Sequence, residues 1–168
     1  MSTAFKLMAS ASLNNPICSS PEQNARGVEL SSKLSVGIHI LTVLALKRGN
    51  ALTSEFIAES VNTNPVVIRR LLGLFRAAGF VESKTGVGGG WLLVANPAEI
   101  NLLEVLRVVE PRHQMFALHH SEPNQKCFVG CNIQKVLMEI YDEAWEAMAK
   151  QLERSSIASV TATLLDQM

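Results

Sequence analysis

The chain has 168 residues, of which 48% are apolar and 18% charged. This length corresponds to one domain or to one domain with an extension, and the composition is globular rather than disordered. Fifteen Lys and Arg balance fifteen Asp and Glu, so the chain as a whole has no basic excess. Three cysteines do not suit a disulfide-rich secreted domain, and no apolar run approaches the roughly 18 residues of a membrane span. We therefore expect a cytoplasmic protein with no membrane partner.

Charge is distributed unevenly along the chain. Residues 29–96 carry three Lys and four Arg against four Glu, a net charge of +3, whereas residues 97–168 carry six basic and ten acidic groups. The difference is either chance or the mark of a basic half that contacts a polyanion. Residues 1–28, which include Cys18, are rich in Ser, Asn and Pro and are predicted to be a flexible N-terminal extension. They do not match a signal peptide, because no long apolar segment follows Lys6.

The first predicted helix runs from Leu34 to the turn at Gly49. Its apolar residues recur at three- and four-residue steps and fill most sides, which is typical of a buried helix. A second, shorter helix follows and is capped by Thr53 or Ser54. The turn residues at 62–64 end it, so a short helix and a turn precede the next segment.

The third predicted helix has Asn64 as its N-cap and Pro65 at its first position, and it runs to about Ala78. Its inner stripe is predicted to consist of Val67, Ile68, Leu71, Leu72 and Phe75. Its outer face is predicted to carry Arg69, Arg70, Gly73 and Arg76. Arginines on such a face either read guanine edges and neutralise phosphates in a DNA major groove, or are simply solvated. The order of short helix, turn and helix is that of a helix-turn-helix and favours DNA.

Two strands are predicted next, at Phe80–Lys84 and Trp91–Ala95, with a glycine-rich stretch at 86–90 between them. A nucleotide-binding glycine loop needs a strand before it and a helix after it. A strand follows here, so the stretch is better explained as the tip of a hairpin. Its glycines let the backbone approach a sugar-phosphate chain, although a plain flexible hairpin is the alternative.

The C-terminal part is predicted to be helical around one long loop. A short helix capped by Asn101 comes first, and residues 111–132 are predicted to be a loop. A long helix follows from Ile133 to about Arg154, and its wide apolar stripe packs either against a second copy or against its own domain. A short last helix is predicted at Ser159–Leu165.

The predicted loop contains Cys127 and Cys131 as a C-x-x-x-C pair, near His113, His119 and His120. Three interpretations are open: inert thiols, thiols that sense oxidants or electrophiles, and a metal or iron–sulfur site. Two cysteines are fewer than a cluster normally uses, and the histidine spacing matches no zinc pattern. If the long helix began at Cys131, its dipole would favour the thiolate. No catalytic motif is present, so the chain is not expected to be an enzyme.

Several segments together resemble the Rrf-two (Rrf2) family of bacterial transcription regulators, which includes the IscR, NsrR and CymR regulators. They are Ser31-Ser32-Lys33, the helix of Asn64–Phe80, Gly86-Val87-Gly88-Gly89-Gly90-Trp91-Leu92-Leu93 and Ile100–Glu110. The resemblance covers residues 29–165, and residues 123–133 are similar to the YwnA-like branch. It implies a mainly α fold with a small β-ribbon, namely a winged helix-turn-helix followed by a long C-terminal dimerisation helix.

The resemblance also implies a function and a set of DNA-binding residues. The protein is predicted to bind double-stranded DNA as a homodimer and to act as a repressor. A second hypothesis, which rests on the two cysteines and not on the resemblance, is that Cys127 and Cys131 sense oxidants or electrophiles and that oxidation releases the DNA. The residues expected at the DNA are Ser32, Lys33, Asn64, Val66, Val67, Arg69, Arg70, Lys84, Thr85, Gly86, Gly88 and Gly89. The rival hypothesis is a winged-helix module that binds protein and not DNA.

The chain departs from the family pattern in three places. Arg69 stands where the iron–sulfur regulator has a base-reading acid, so a different operator sequence is expected. Cluster-binding members have three cysteines in the loop, whereas this chain has two, so no cofactor is expected. Some members have an Arg where this chain has Thr85. The predicted domains are the extension at 1–28, the DNA-binding domain at 29–96, and a linker helix, cysteine loop and dimerisation helix at 97–168.

Overall fold

A computed structural model describes residues 32–111 and 116–167. The predicted extension, Cys18 and His113 lie outside these ranges. Within them the chain forms six helices and two strands. They are α1 (Lys33–Leu46), α2 (Ser54–Val61), α3 (Pro65–Ala77), β1 (Val81–Lys84), β2 (Gly90–Leu93), α4 (Leu102–Val109), α5 (Phe128–Glu153) and α6 (Ile157–Leu165). The fold is therefore mainly helical with one small ribbon, as the sequence predicted.

Capping residues set most of the helix starts. The Thr53 side chain accepts a hydrogen bond from the Phe56 amide, and the Asn64 side chain accepts one from the Val66 amide at 2.8 Å. Asn101 and Glu104 form a reciprocal capping box at the start of α4. Each cap satisfies an amide that the first helical turn leaves without a partner, which confirms the predicted starts of α2, α3 and α4.

One hydrophobic core joins the helices to the base of the ribbon. Ile40 and Leu41 of α1, together with Phe75 of α3, are fully buried, and the core extends to Val105 of α4 and Ile157 of α6. The core therefore draws side chains from both 29–96 and 97–168. The division of the chain at residue 96 stays a prediction.

The start of α5 differs from the prediction. The helix begins at Phe128, five residues before Ile133, so the predicted loop is shorter and Cys131 lies inside the helix. A turn precedes it, in which the Cys127 amide donates to the Asn124 carbonyl at 3.0 Å. The first turn of α5 combines exposed apolar, glycine and cysteine residues without a helical stripe, so its sequence gave no periodic signal. A capping box between Ser156 and Ser159 likewise starts α6 two residues before the predicted position.

Candidate nucleic-acid interface

Helix α2 and a tight turn precede α3, and one face of α3 is exposed to solvent. Asn62 has a left-handed backbone, with φ of 56°, and ends α2. Ile68, Leu71, Leu72 and Phe75 of α3 are buried, and this inner face holds the helix against the core. The predicted inner stripe is wrong for one residue, because the Val67 side chain is exposed at 43%. Val67 lies at the boundary of the stripe, where the helical period alone does not decide which way a side chain faces.

The opposite side of α3 is solvent-accessible along its length. Asn64, Val66, Val67, Arg69 and Arg70 are all exposed, as is Arg76. Val66 is the most exposed of its apolar residues, at 61%. The five α3 residues predicted to meet DNA are therefore all accessible to a ligand as large as a duplex.

The arginines of this face have different surroundings. Arg69 forms an ion pair with Glu55 of α2, with 2.9 Å between the guanidinium Nη1 and the carboxylate Oε1. Arg76 lies over the indole ring of Trp91, with its Cζ atom 6.0 Å from the ring centroid. Arg70 forms no ion pair with any residue of the described ranges. Arg69 is thus paired with an acid and Arg76 contacts the ribbon, whereas no carboxylate of the described ranges pairs with Arg70.

The ribbon has the geometry of a wing. Strands β1 and β2 pair antiparallel, with Val81 opposite Leu93 and Lys84 opposite Gly90. The tip runs through Thr85, Gly86, Val87, Gly88 and Gly89. Gly86 and Gly88 have φ of 94° and 73°, and a Cβ atom on Gly89 would lie 2.5 Å from the Lys84 carbonyl oxygen. Only glycines fit this turn without strain, which explains their number.

The wing tip includes one exposed residue that the sequence analysis missed. Val87 is fully exposed between two left-handed glycines, so its side chain extends from the end of the ribbon. Lys84 and Thr85 are exposed beside it. The position of Val87 between glycines was the available signal, since a large apolar residue at a hairpin tip has no core to enter.

The base of the wing is fixed to the helix-turn-helix. Leu52 and Trp91 exchange two backbone hydrogen bonds of 3.0 and 2.8 Å. The Trp91 indole donates to the hydroxyl of buried Ser54 at 3.3 Å. Together with Arg76 over the indole ring, these contacts hold the wing beside the exposed face of α3.

The remaining predicted DNA-binding residues lie at the start of α1. Ser32 is the N-cap residue and is exposed, and its side chain makes no capping hydrogen bond. The Lys33 ammonium forms an ion pair with Glu110 at 2.8 Å. Lys33 lines the same groove as Arg70, so the start of α1 lies next to α3.

The two cysteines lie at the N-terminal end of α5. Cys127 is the N-cap residue, and Cys131 follows one turn later; both are exposed. Backbone hydrogen bonds from Gly130 and Val129 lower the pKa of the Cys127 thiol, because they stabilise the thiolate. The start of α5 therefore favours the thiolate form of Cys127. The Cys131 thiol donates to the Phe128 carbonyl at 3.2 Å and accepts a hydrogen bond from the Asn132 side-chain Nδ2 at 3.1 Å.

Comparison with known proteins places this geometry in a family. A model of the Rrf2 family, described as iron-dependent transcriptional regulators, matches residues 30–163. The chain belongs to the Rrf2 family. It is 42% identical over 131 residues to YwnA of Bacillus subtilis (strain 168), which carries the name of an HTH-type transcriptional regulator; the match covers 78% of this chain and 96% of that one.

Two solved structures share the fold. The structure titled T. potens IscR matches with a TM-score of 0.64 at 21% identity, covering 86% of this chain and 95% of that one. CymR of B. subtilis, titled the global cysteine regulator, matches with a TM-score of 0.59 at 23% identity, covering 81% and 98%. The protein is a DNA-binding transcription regulator with a winged helix and a C-terminal helix, and it belongs to a non-enzymatic family.

The family description names iron, so the described residues were compared with the requirements of an iron–sulfur cluster, and they do not fit one. Such clusters are usually held by about four protein ligands, mostly thiolates. Cys127 and Cys131 supply two thiols, and no three His, Cys, Asp or Glu side chains come together within 32–111 and 116–167. The expectation that no cofactor is bound stays a prediction. Among the described helices, none combines the length and apolarity needed to cross a membrane.

Proposed function

We propose that this Rrf2-family protein is a cytoplasmic, homodimeric repressor in which α3 enters the major groove and the wing contacts the neighbouring backbone. The observation that carries the proposal is the contact of Arg76 with Trp91, which holds the wing beside the exposed face of α3. Asn64, Val66, Val67, Arg69 and Arg70 are assigned to base edges and nearby phosphates. Ser32, Lys33, Lys84, Thr85, Gly86, Gly88 and Gly89 are assigned to the sugar-phosphate backbone.

The division of labour follows from the chemistry of these side chains. Guanidinium groups pair with the O6 and N7 atoms of guanine, and valines contact thymine methyl groups. The wing tip has no charged residue between Thr85 and Gly89, so its contacts would come from backbone amides and Val87. This arrangement gives α3 the sequence-reading role and gives the wing a positioning role.

Helix α5 supports a homodimer. It has 26 residues, none of which is buried within the described chain. Val129, Val136 and Ile140 share one face of this helix by its 3.6-residue period and are about half exposed, at 55%, 48% and 52%. A second copy of α5 would cover this surface, since solvent-exposed apolar patches of this kind mark interaction sites. Ile140→Glu is expected to shift the protein to a monomer in analytical ultracentrifugation, whereas Leu164→Glu on α6 serves as the matched control. A dimer that persists in Ile140→Glu contradicts this interface.

DNA binding at the assigned residues is tested by selecting an operator. Full-length protein is used to select duplexes from a random library, and affinities are measured by mobility shift at several salt concentrations. We expect a specific site whose binding weakens as salt rises, because phosphate contacts release counterions. Repression is tested by transcription in vitro from a promoter that carries the selected site. Failure to select any duplex at low salt contradicts the DNA assignment, and increased transcription contradicts the repressor assignment.

Redox sensing is assigned to Cys127, with Cys131 one helical turn away. The lowered pKa of the Cys127 thiol raises the fraction of thiolate, which is the form that reacts with oxidants and electrophiles. We expect mild peroxide treatment to lower operator affinity in wild-type protein and not in Cys127→Ser. Unchanged affinity, with oxidation of the thiol confirmed by mass spectrometry, contradicts the sensor.

A further inference from the structure

A groove beside the exposed face of α3 is the strongest unassigned feature of the molecule. It lies between the start of α1, the side of α3 and the end of α4, and its volume is about 400 Å³. Leu71 and Val109 are buried at its floor, and Leu74 and Val108 line it. A cavity of this size falls in the range that holds small organic molecules.

The rim of the groove is charged, while its floor is apolar. Lys33 and Glu110 lie on one side and form an ion pair, so their charges offset each other. Arg70 also lines the groove, and in the described ranges no carboxylate pairs with it. A guanidinium group in this position offers a planar set of donors that matches a carboxylate. The groove therefore combines an apolar surface with one available cationic group.

We propose that this groove binds a small amphipathic carboxylate. Its apolar body would lie against Leu71, Leu74 and Val108, and its carboxylate would pair with Arg70. The apolar lining stabilises the bound chain by removing it from water, and the guanidinium selects an anion over a neutral molecule of the same length. The ligand is thus defined by one carboxylate at the end of a short hydrocarbon body.

Ligand and DNA compete in this arrangement, a consequence that rests on the proposed function. Val67 and Arg70 line the groove and also belong to the set assigned to DNA. A carboxylate paired with Arg70 removes that guanidinium from the DNA and places a negative charge near the phosphates. The coupling is reciprocal, so operator DNA must weaken ligand binding by the same factor.

The direct test measures binding to the full-length protein without DNA. Isothermal titration calorimetry with octanoate, kept below its micelle concentration, is expected to give saturable binding of one molecule per chain. The uncharged analogue 1-octanol is expected to bind about tenfold more weakly, because it cannot form the charge-assisted pair. Arg70→Gln is expected to remove this difference. Absence of saturable octanoate binding overturns the proposal, as does equal affinity for 1-octanol.

Variants of the lining locate the binding site. Leu74→Trp and Val108→Trp fill the groove and are expected to abolish octanoate binding, whereas Leu164→Trp on the remote surface of α6 is expected to retain it. Circular dichroism establishes that each variant is folded. Octanoate binding that survives in both folded groove variants overturns the proposal. A change in oligomeric state in these variants identifies the groove as an interface between copies and likewise overturns it.

A final measurement separates the ligand site from the proposed function. Octanoate is expected to lower operator affinity in wild-type protein but not in Leu74→Trp. A protein that binds octanoate in the groove but binds no DNA supports the ligand site and contradicts the proposed function. A protein that binds the operator but not octanoate supports the proposed function and contradicts the ligand site.

Discussion

Arg69 of α3 and Glu55 of α2 form an ion pair across the helix-turn-helix, with 2.9 Å between guanidinium and carboxylate. Both side chains are well exposed, at 50% and 66%, so the pair contributes little to stability. The pair instead limits how freely the Arg69 guanidinium can bind another anion, because the Glu55 carboxylate holds it in place and offsets its charge. In the proposed complex, Glu55 would therefore compete with DNA for Arg69.

Removing this acid should strengthen DNA binding. We expect Glu55→Gln to increase operator affinity several-fold and to change the free energy of unfolding by less than about 1 kcal/mol, as for exposed ion pairs. Arg69→Ala should weaken specific binding by about 1–3 kcal/mol if the guanidinium pairs with a base. In the double variant the gain from Glu55→Gln should disappear, because the two substitutions act on one contact. Glu59→Gln, on the same helix, is the control. Weaker binding by Glu55→Gln would show that the acid positions Arg69.

Two glycine substitutions of the same kind should have opposite effects on stability. A Cβ atom on Gly73 of α3 meets nothing within 4 Å, so Gly73→Ala should raise the free energy of unfolding by about 0.5–1 kcal/mol through helix propensity. A Cβ atom on Gly90, which has φ of 155°, would lie 2.5 Å from the Leu52 carbonyl oxygen. Gly90→Ala should therefore lower the free energy of unfolding by about 1–3 kcal/mol, the usual cost of local backbone strain.

The free energies of unfolding of both glycine variants are measured by urea denaturation. One protein concentration is used throughout, because the stability of the proposed dimer depends on concentration. Equal effects of the two substitutions would contradict the close approach of the wing to Leu52.

The hydrogen bond from Trp91 to Ser54 should be worth about 1 kcal/mol, as for a typical buried pair. Trp91→Phe removes the donor, and Ser54→Ala removes the acceptor. Because both changes break the same contact, the double variant should lose less stability than the two single variants together. Denaturation of the four proteins gives this cycle. Strict additivity would contradict the bond.

The lowered pKa of Cys127 predicts that this thiol reacts at a lower pH than an ordinary thiol. A lower pKa means that the thiolate forms at lower pH, so alkylation of Cys127 should become fast at a lower pH than that of an ordinary thiol. Iodoacetamide rates are measured across a range of pH for Cys127 in a Cys18→Ser, Cys131→Ser background and for N-acetylcysteine as the ordinary thiol. Equal rates across neutral pH would rule out selective activation of Cys127.

The sequence was sufficient for elements that depend on local chemistry. Asn64 and Asn101 cap their helices through their own side chains, and such caps can be recognised within a few residues. The start of α5 at Phe128 escaped recognition because cysteine is not a usual N-cap residue, and the following turn lacks an apolar period. Val67 was assigned to the core because it borders the buried stripe.

Features that depend on distant residues could not be predicted. The ion pair of Arg69 with Glu55 spans 14 positions, and that of Lys33 with Glu110 spans 77. Neither has a local signature, and the groove beside Arg70 exists only once α1, α3 and α4 have packed. Sequence patterns located the candidate DNA-binding residues, but their partners came from the tertiary structure.

Site-directed cleavage of the operator tests the central claim most directly. Iron–EDTA is attached to a single cysteine at Val66→Cys in α3, at Val87→Cys in the wing, or at the control position Leu164→Cys in α6, with all three native cysteines replaced by serine. The account predicts strand cleavage within the operator from the first two positions, at distinct sites, and none from the third. Cleavage from position 164 alone, or operator binding without cleavage from positions 66 and 87, would contradict it.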